Sequence, residues 1–198
     1  MVVEQFNLLD YEFERLNSKD HVATPRWVVE QIYSIINVSS YNSIWFPFNN
    51  YDSQFKLKAD ELKLKYRATH KFDDLKNDFF TTEPPKDCDL MISNPPFSLQ
   101  NKIIERSFKL IDEKKIKSFA LLLPLSTLET PTRADMFERY NDKLSIIVFK
   151  RRIKFIGKTH SFNTACCWIC YNIEAIKNKL NWVDTPKGIR WWTTYTII

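Results

Sequence analysis

Four consecutive residues, Asn94, Pro95, Pro96 and Phe97, combine groups that can hold an amino group attached to a flat ring. The Asn94 side-chain oxygen and the Pro95 carbonyl can each accept one amine hydrogen, and the prolines restrict the backbone around both acceptors. The Phe97 ring can stack on the face of the same ring system. The segment therefore suits chemistry at an exocyclic amine, and the alternative is a Pro-Pro turn that merely ends a strand.

Short apolar runs alternate with longer amphipathic segments around this tetrapeptide, which is typical of a βαβ architecture. The predicted strands are 43–48, 64–70, 87–94, 116–125, 143–155 and 162–173, and the predicted helices are 24–37, a segment through Phe55, Leu57 and Leu62, 99–115 and 130–142. The tetrapeptide thus lies at the carboxyl end of a strand, where open α/β sheets bind ligands. The last two strands, joined by a short loop around Gly157, suit an antiparallel pair.

The tetrapeptide after this kind of strand resembles the catalytic loop of the S-adenosylmethionine-dependent N6-adenine methyltransferases, and the similarity runs from about residue 21 to residue 172. It implies a class I methyltransferase fold, which is a Rossmann-like α/β fold with a doubly wound, mostly parallel seven-stranded sheet and a C-terminal antiparallel hairpin. It also implies that Asn94 and the Pro95 carbonyl accept the amine hydrogens of adenine while Phe97 stacks on the base. Such a base must be flipped out or already unpaired.

The resemblance also assigns residues to the methyl donor, S-adenosylmethionine. Residues 21–25 resemble the segment beside the methionine part of the donor, so Thr24 and Pro25 are expected to contact it. A plain helix start, with Thr24 as the cap and Pro25 in the first turn, is the alternative. Asp78 and Phe79 resemble the family's Asp-Phe pair at the end of its third strand, where the acid meets the donor's adenine amino group.

Two later segments complete the resemblance. Residues 119–124 resemble the next strand of the family, and residues 152–157 with Phe162 resemble a late hairpin that lines the target-base pocket.

The end of the first predicted strand departs from the family pattern. The family has an acidic residue, a proline and a glycine-containing loop there, because glycine lets the backbone approach the donor closely. Pro47 is kept, but Phe46 replaces the acid, and Asn49 and Asn50 stand in place of the glycines. By their place in the family pattern, Phe46, Pro47 and Asn49 are expected to contact the donor. Asparagine tolerates positive φ better than other non-glycine residues, so a tight loop is expected at the asparagines. Asp52 is expected to supply a displaced carboxylate.

A Trp-x-Pro-Phe first strand, followed by Asp-Phe-Phe and Asn-Pro-Pro-Phe-Ser, is similar to a group of short, phage-type methyltransferase-like sequences. The second predicted strand ends in residues 68–70 and also lacks the family's acid for the ribose hydroxyls. Two hypotheses follow. The chain is an adenine-N6 methyltransferase of DNA or RNA, or it is an inactive methyltransferase-like protein that binds nucleic acid or blocks a host nuclease, restriction or CRISPR defence protein.

The net charge of +5, from 29 basic and 24 acidic residues, is compatible with a polyanionic partner without requiring one. Lys102 and Arg106 follow the tetrapeptide, and Arg152 and Lys154 lie near the late hairpin, so these four residues are predicted to form a phosphate-contacting rim. An ordinary solvated face is the alternative. Site specificity would come from short loops, the tail, a partner protein or a structured RNA.

Apolar runs are too short to cross a bilayer and the N-terminal segment carries acids, so the chain is predicted to be soluble and cytoplasmic, in the host cytoplasm if it is viral. The four cysteines are predicted to be buried thiols, and the three histidines lack metal spacing, so no metal site is predicted. Residues 1–173 are expected to form one domain. Residues 174–198 are expected to be a tail with a weak helix and an unplaced Trp191–Trp192 pair.

Overall fold

A computed structural model describes residues 23–49, 52–71, 77–156 and 164–186. The strands are β1 (Ile44–Pro47), β2 (Tyr66–Thr69), β3 (Cys88–Ser93), β4 (Ile116–Pro124), β5 (Leu144–Phe149), β6 (Cys166–Tyr171) and β7 (Leu180–Val183). The α-helices are α1 (Arg26–Ile35), α2 (Gln54–Glu61), α3 (Gln100–Asp112) and α4 (Pro131–Arg139). Every predicted strand and helix up to residue 173 is present.

The strands form one sheet in the order β2-β1-β3-β4-β6-β5-β7. Among them β6 alone runs against its neighbours, pairing antiparallel with both β4 and β5, whereas all other neighbouring pairs are parallel. This confirms the predicted doubly wound, mostly parallel sheet of seven strands with a late antiparallel pair. The order reverses at β1, because β2 lies on one side of it and β3 on the other.

Successive residues of each strand point to opposite faces of the sheet, and their side chains form one apolar layer on each face. Phe46 of β1 packs with α1 and α2 on one face, in a cluster that includes Val28 and Ile32. Trp45 points to the opposite face and packs with α3 and α4 in the second cluster, which includes Phe108. Apolar residues at helical spacing on α1, among them Val28 and Ile32, therefore cover the first of these faces of the sheet.

Two predictions differ from the structure: the end of the fifth strand and the conformation of the segment after residue 173. Strand β5 ends at Phe149 rather than at residue 155, and the basic residues that follow it are exposed. One of these residues, Lys150, forms an ion pair with Asp184 at 3.0 Å. Residues 174–186 contain β7 instead of the predicted weak helix, and the sheet thus extends past residue 173.

All four cysteines are buried free thiols, as predicted. Burial raises the pKa of the Cys88, Cys166 and Cys167 thiols to about 12. None of the helices in the described ranges is both long and apolar enough to cross a membrane. The predictions made for His21, Asn50, Phe162, Trp191 and Trp192 lie outside the described residues, as do those for both glycines.

We expect Thr69→Val to destabilise the fold at the junction of β1 and β2. The Trp45 indole Nε1 donates to Thr69 Oγ1 at 2.9 Å, and both residues are buried. Valine keeps the shape but leaves the indole N–H without an acceptor, which costs about 1–3 kcal/mol. Urea denaturation measures the free energy of unfolding. Thr132→Val, on the exposed side of α4, is the matched control, and equal stability of both variants would contradict the prediction.

Candidate active site

Strands β1 and β3 stop pairing before they reach the carboxyl edge of the sheet, and we call the place between their ends the β1–β3 crevice. The register between them covers two residue pairs, after which β1 continues beside β2 alone and β3 continues beside β4 alone. This is the point where the strand order reverses, and such switch points hold the ligand in open α/β sheets. Asn94 follows β3 directly, so the tetrapeptide starts at this crevice.

The tetrapeptide is held from two neighbouring segments. The Asn94 amide nitrogen Nδ2 donates to Thr24 Oγ1 at 3.0 Å, so the nitrogen end of the amide is committed and the buried oxygen Oδ1 is the end turned away from Thr24. Pro95 is buried, and a single 3-10 turn, Phe97–Leu99, leads into α3. The Phe97 ring meets the edge of the Phe155 ring at a centroid distance of 6.3 Å.

Thr24 joins this site instead of capping α1. The N-cap residue is Pro25, with extended backbone angles and no side-chain cap hydrogen bond, so the predicted cap is wrong. Beside Thr24, Ala23 forms an antiparallel bridge with Ile156, whose amide donates to the Ala23 carbonyl at 3.1 Å. The start of α1 and the segment after β5 thus meet next to the tetrapeptide.

Asn49, which stands where a glycine was expected, has a side chain that spans the crevice. Its Nδ2 donates to the Pro47 carbonyl at 2.7 Å and to Ser93 Oγ at 3.1 Å, and its Oδ1 accepts from Ser53 Oγ at 2.5 Å. The Ser93 hydroxyl also donates to the Pro47 carbonyl. We call these four residues the Asn49 bracket. Asn49 is only 5% exposed, so the bracket is a buried polar connection between the ends of β1 and β3.

The residue before Asn49 carries the backbone strain. Phe48 has a φ of 62°, in the left-handed region that a bulky side chain rarely adopts. Such a conformation costs on the order of 1–3 kcal/mol and persists only where its surroundings impose it. The Phe48 ring packs on Phe79 at 4.8 Å. Positive φ therefore occurs in this loop, but one residue before the asparagine to which it was assigned.

The two aromatic residues predicted to contact the donor have their side chains in the core. Phe46 is 0% exposed and packs among Tyr33, Phe55 and Tyr66. Phe79 is 3% exposed and packs against Trp45 on the opposite face of the sheet. These rings stabilise the walls of the crevice and do not themselves project into it.

The two predicted donor carboxylates lie in turns. Asp78 accepts from the Phe80 amide at 2.7 Å, and its own carbonyl accepts from the amides of Thr81 and Thr82. Because these hydrogen bonds are local, the segment is a turn within the described residues. The family pattern has the end of a strand at this place. Asp52 is exposed in the turn that precedes α2.

The predicted basic rim is only partly on the surface. Lys102, Arg152 and Lys154 are exposed, but Arg106 is half-buried. Its Nη2 donates to the Thr82 carbonyl at 3.0 Å, and its guanidinium lies 5.5 Å from the centre of the Phe79 ring. Arg106 therefore braces the turn that contains Asp78, and the rim is reduced to residues on either side of the tetrapeptide.

Sequence reasoning missed a buried arginine at the same edge of the sheet. Arg133, in the first turn of α4, is 7% exposed. It donates from Nε to the Thr127 carbonyl at 2.5 Å, from Nη1 to Asn101 Oδ1 at 2.5 Å and from Nη2 to the Ser126 carbonyl at 3.1 Å. It thereby ties α4, the turn after β4 and the first turn of α3 together. The helix start at Thr130–Pro131 locates Arg133 but gives no signal of its burial.

No protein-family profile and no curated protein sequence matches the chain. Among solved structures, a protein assigned as the modification subunit of a type I restriction enzyme from Vibrio vulnificus superposes with a TM-score of 0.56 and 14% identity, covering 91% of this chain and 51% of that one. The chain thus spans about half the length of that subunit.

A second structure, assigned as a class I S-adenosylmethionine-dependent methyltransferase from Listeria monocytogenes, has a TM-score of 0.51 and 12% identity over 93% of this chain and 75% of that one. The chain has the class I methyltransferase fold. At these identities the likeness establishes the fold alone. The β1–β3 crevice and the tetrapeptide lie at the carboxyl edge of this sheet, which is the edge where open α/β sheets bind ligands.

We expect Arg133→Lys to destabilise the protein by about 2–3 kcal/mol. Lysine keeps the charge, but a single ammonium group cannot span acceptors on three segments, and each hydrogen bond to a charged group is worth roughly 1.5–3 kcal/mol. Urea denaturation again gives the free energy of unfolding. Arg139→Lys, in the exposed last turn of α4, is the matched control. A stability loss no larger than that of the control would show that the buried fork is unimportant.

Proposed function

We propose that this protein transfers a methyl group from S-adenosylmethionine to the exocyclic N6 amine of adenine in DNA or RNA. The observation that carries this proposal is the hydrogen bond from Asn94 Nδ2 to Thr24 Oγ1 at the β1–β3 crevice. It commits the nitrogen end of the amide, so that Oδ1 is the side-chain atom that can accept an amine hydrogen. The class I methyltransferase fold supports a methyl-transfer reaction at this edge.

The chemistry requires an acceptor pair because the lone pair of the adenine amine is delocalised into the ring. Acceptors at Asn94 Oδ1 and at the Pro95 carbonyl draw both amine hydrogens to one side and turn the nitrogen lone pair toward the incoming carbon. When bound, S-adenosylmethionine would supply that carbon as its sulfonium methyl group and would leave as S-adenosylhomocysteine, while the amine gives up one proton to solvent. Because Pro95 and Pro96 restrict the loop, little orientational entropy remains to be lost at the reacting geometry.

The aromatic pair at the site provides a surface for a base. Phe155 presents an edge-to-face contact, with the rings 75° apart, to the half-buried Phe97. This contact fixes the plane of the Phe97 ring, and stacking of a base on such a ring is worth roughly 1–3 kcal/mol. A base inside a duplex cannot reach this position, so the substrate is either unpaired or flipped.

Exposed cations on two sides of the tetrapeptide favour a nucleic-acid substrate over a free nucleoside. Lys102 lies at the start of α3, while Arg152 and Lys154 precede Phe155 in sequence. These side chains can contact phosphates that flank the target base, and the affinity should then fall as salt rises. Short loops, a partner protein or the structure of the substrate would supply the choice of target sequence.

We expect Asn94→Ala to lower the methylation rate by about 100-fold or more, as does removal of one preorganised polar contact to a transition state. Purified protein is incubated with the donor and with adenine-containing DNA or RNA, and N6-methyladenine is measured by mass spectrometry of the digested product. Nucleic-acid binding by the variant should stay within about twofold, because the change adds no charge. If the unaltered protein makes no N6-methyladenine on either polymer while the variant binds normally, the proposed function is wrong.

We expect Thr24→Val to lower kcat by about tenfold with little change in KM for the nucleic acid. Valine removes the acceptor that holds Asn94 Nδ2, so the amide can rotate, and misalignment of a positioning group acts on the reacting geometry more than on binding. Steady-state kinetics with each substrate varied separate the two constants. Thr132→Val serves again as the control. A rise in KM alone would assign Thr24 to substrate binding and contradict its positioning role.

A further inference from the structure

We propose that the Asn49 side chain is an internal occupant of the donor crevice, which S-adenosylmethionine must displace in order to bind. Asn49 is then a residue that sets donor affinity, in a position where a glycine loop would leave the crevice open. The inference rests on the proposed function for the identity of the ligand. Its physical basis lies in the Asn49 bracket and in the neighbouring Phe48.

The carbonyl at the end of β1 has its acceptor capacity filled by the chain itself. A carbonyl oxygen has two lone pairs. The Pro47 oxygen accepts from Asn49 Nδ2 at 2.7 Å and also from the Ser93 hydroxyl. A ligand that needs this oxygen must therefore remove one of the two donors.

The N–H groups of the Asn49 amide occupy the place that we propose for the ammonium group of S-adenosylmethionine. Backbone carbonyls at the carboxyl ends of parallel strands are natural partners for a cationic or N–H donor. S-adenosylmethionine carries such a donor in the ammonium group of its amino-acid part. The Asn49 amide presents its N–H groups to the Pro47 carbonyl and to Ser93 Oγ in the same way, and it does so across the gap between β1 and β3. The side chain thus occupies both the space and the hydrogen-bonding capacity of the crevice floor.

Release of Asn49 is opposed by its hydrogen bonds and favoured by relief of strain. The bracket fixes the residue that directly follows Phe48, whose φ of 62° is unfavourable for a phenylalanine. Displacement of the Asn49 side chain removes one of the constraints on Phe48, while the hydrogen bond from the Asn49 backbone amide to the Thr69 carbonyl at 3.2 Å and the packing of Phe48 on Phe79 remain. The hydrogen bonds therefore keep the crevice closed in the absence of a ligand, and the strain at Phe48 lowers the free energy that a ligand needs to open it.

A purely structural role for Asn49 makes the opposite prediction. If the bracket only joined β1, β3 and α2, its loss would loosen the crevice, and donor affinity would fall or stay equal. An internal occupant instead competes with the donor, so its removal must raise donor affinity even though the fold loses stability. The sign of the affinity change separates the two roles.

Isothermal titration calorimetry of the full chain with S-adenosylmethionine and with S-adenosylhomocysteine tests this sign. We expect Asn49→Gly to bind both ligands about tenfold more tightly, because the three neutral hydrogen bonds of the Asn49 side chain no longer have to be broken. Asn37→Gly is the matched control: Asn37 is exposed and has a φ of 51°, which glycine adopts freely, so its affinity should equal that of the unaltered protein. Thermal unfolding followed by circular dichroism checks that each variant is folded.

Ser93→Ala provides a second arm in case Asn49→Gly does not fold. It frees one lone pair of the Pro47 carbonyl and removes one partner of Asn49, and we expect about threefold tighter donor binding. Equal or weaker binding by the folded variants overturns the inference. Failure of all variants and of the unaltered protein to bind donor at millimolar concentration overturns it as well.

The outcome is separable from the test of methyl transfer. If the unaltered protein makes N6-methyladenine but Asn49→Gly binds donor no more tightly, the function stands and the internal occupant is wrong. If Asn49→Gly binds donor more tightly but no N6-methyladenine forms with any adenine-containing polymer, the occupant stands and the proposed reaction is wrong.

Discussion

The separation of β1 from β3 after two paired residues is the constraint on which the rest of the site depends. Parallel strands place all their carboxyl ends at one edge, and a reversal of strand order leaves neighbouring connections running to opposite faces, so a gap must open between them. Backbone groups at that gap lose their ladder partners and need others. Side chains from Asn49 and Ser93 satisfy them here, and the tetrapeptide starts one residue beyond Ser93.

Aromatic packing replaces small residues throughout the wall of this crevice. Phe46 and Trp45 send neighbouring rings to opposite faces of β1, and Phe48 and Phe79 close over the second face. Rings of this size dominate core energetics and leave little freedom to rearrange. The β1 side of the crevice is therefore built from rigid rings with a single polar bracket at its centre, whereas the β3 side is built from prolines and an amide held by Thr24.

The order of strands and helices was predictable because it depends on local patterns, whereas the doubly wound sheet of seven strands was implied by the family resemblance. Apolar runs, a helical stripe and a Pro-Pro turn suffice to order the elements and to place Asn94 at a strand end. The site was predictable where it follows from that order: the resemblance assigned Thr24 and residues 152–157 to it, and the structure brings Thr24 and Phe155 beside the tetrapeptide.

What sequence reasoning could not supply are contacts between distant residues. A serine at the end of β3 or an arginine in the first turn of α4 looks ordinary until the partners of Ser93 and Arg133 are known. The side of a strand on which Phe46 lies, and the burial of Arg106, follow from register and packing rather than from residue type. The end of β5 and the presence of β7 likewise depend on which strand is available for pairing.

Glycine gives a loop two properties together, a left-handed backbone and the absence of a side chain. This chain separates them at the first strand. Phe48 keeps the left-handed backbone against its own steric preference, whereas Asn49 supplies a side chain that fills the space which glycine would leave empty. A loop under no constraint would relax to an ordinary φ, since the strain costs on the order of 1–3 kcal/mol. The left-handed backbone is present at Phe48, and the polar side chain of Asn49 fills the space beside it. This combination is therefore better explained by a β1–β3 crevice that the chain's own side chain closes than by a crevice that no longer exists.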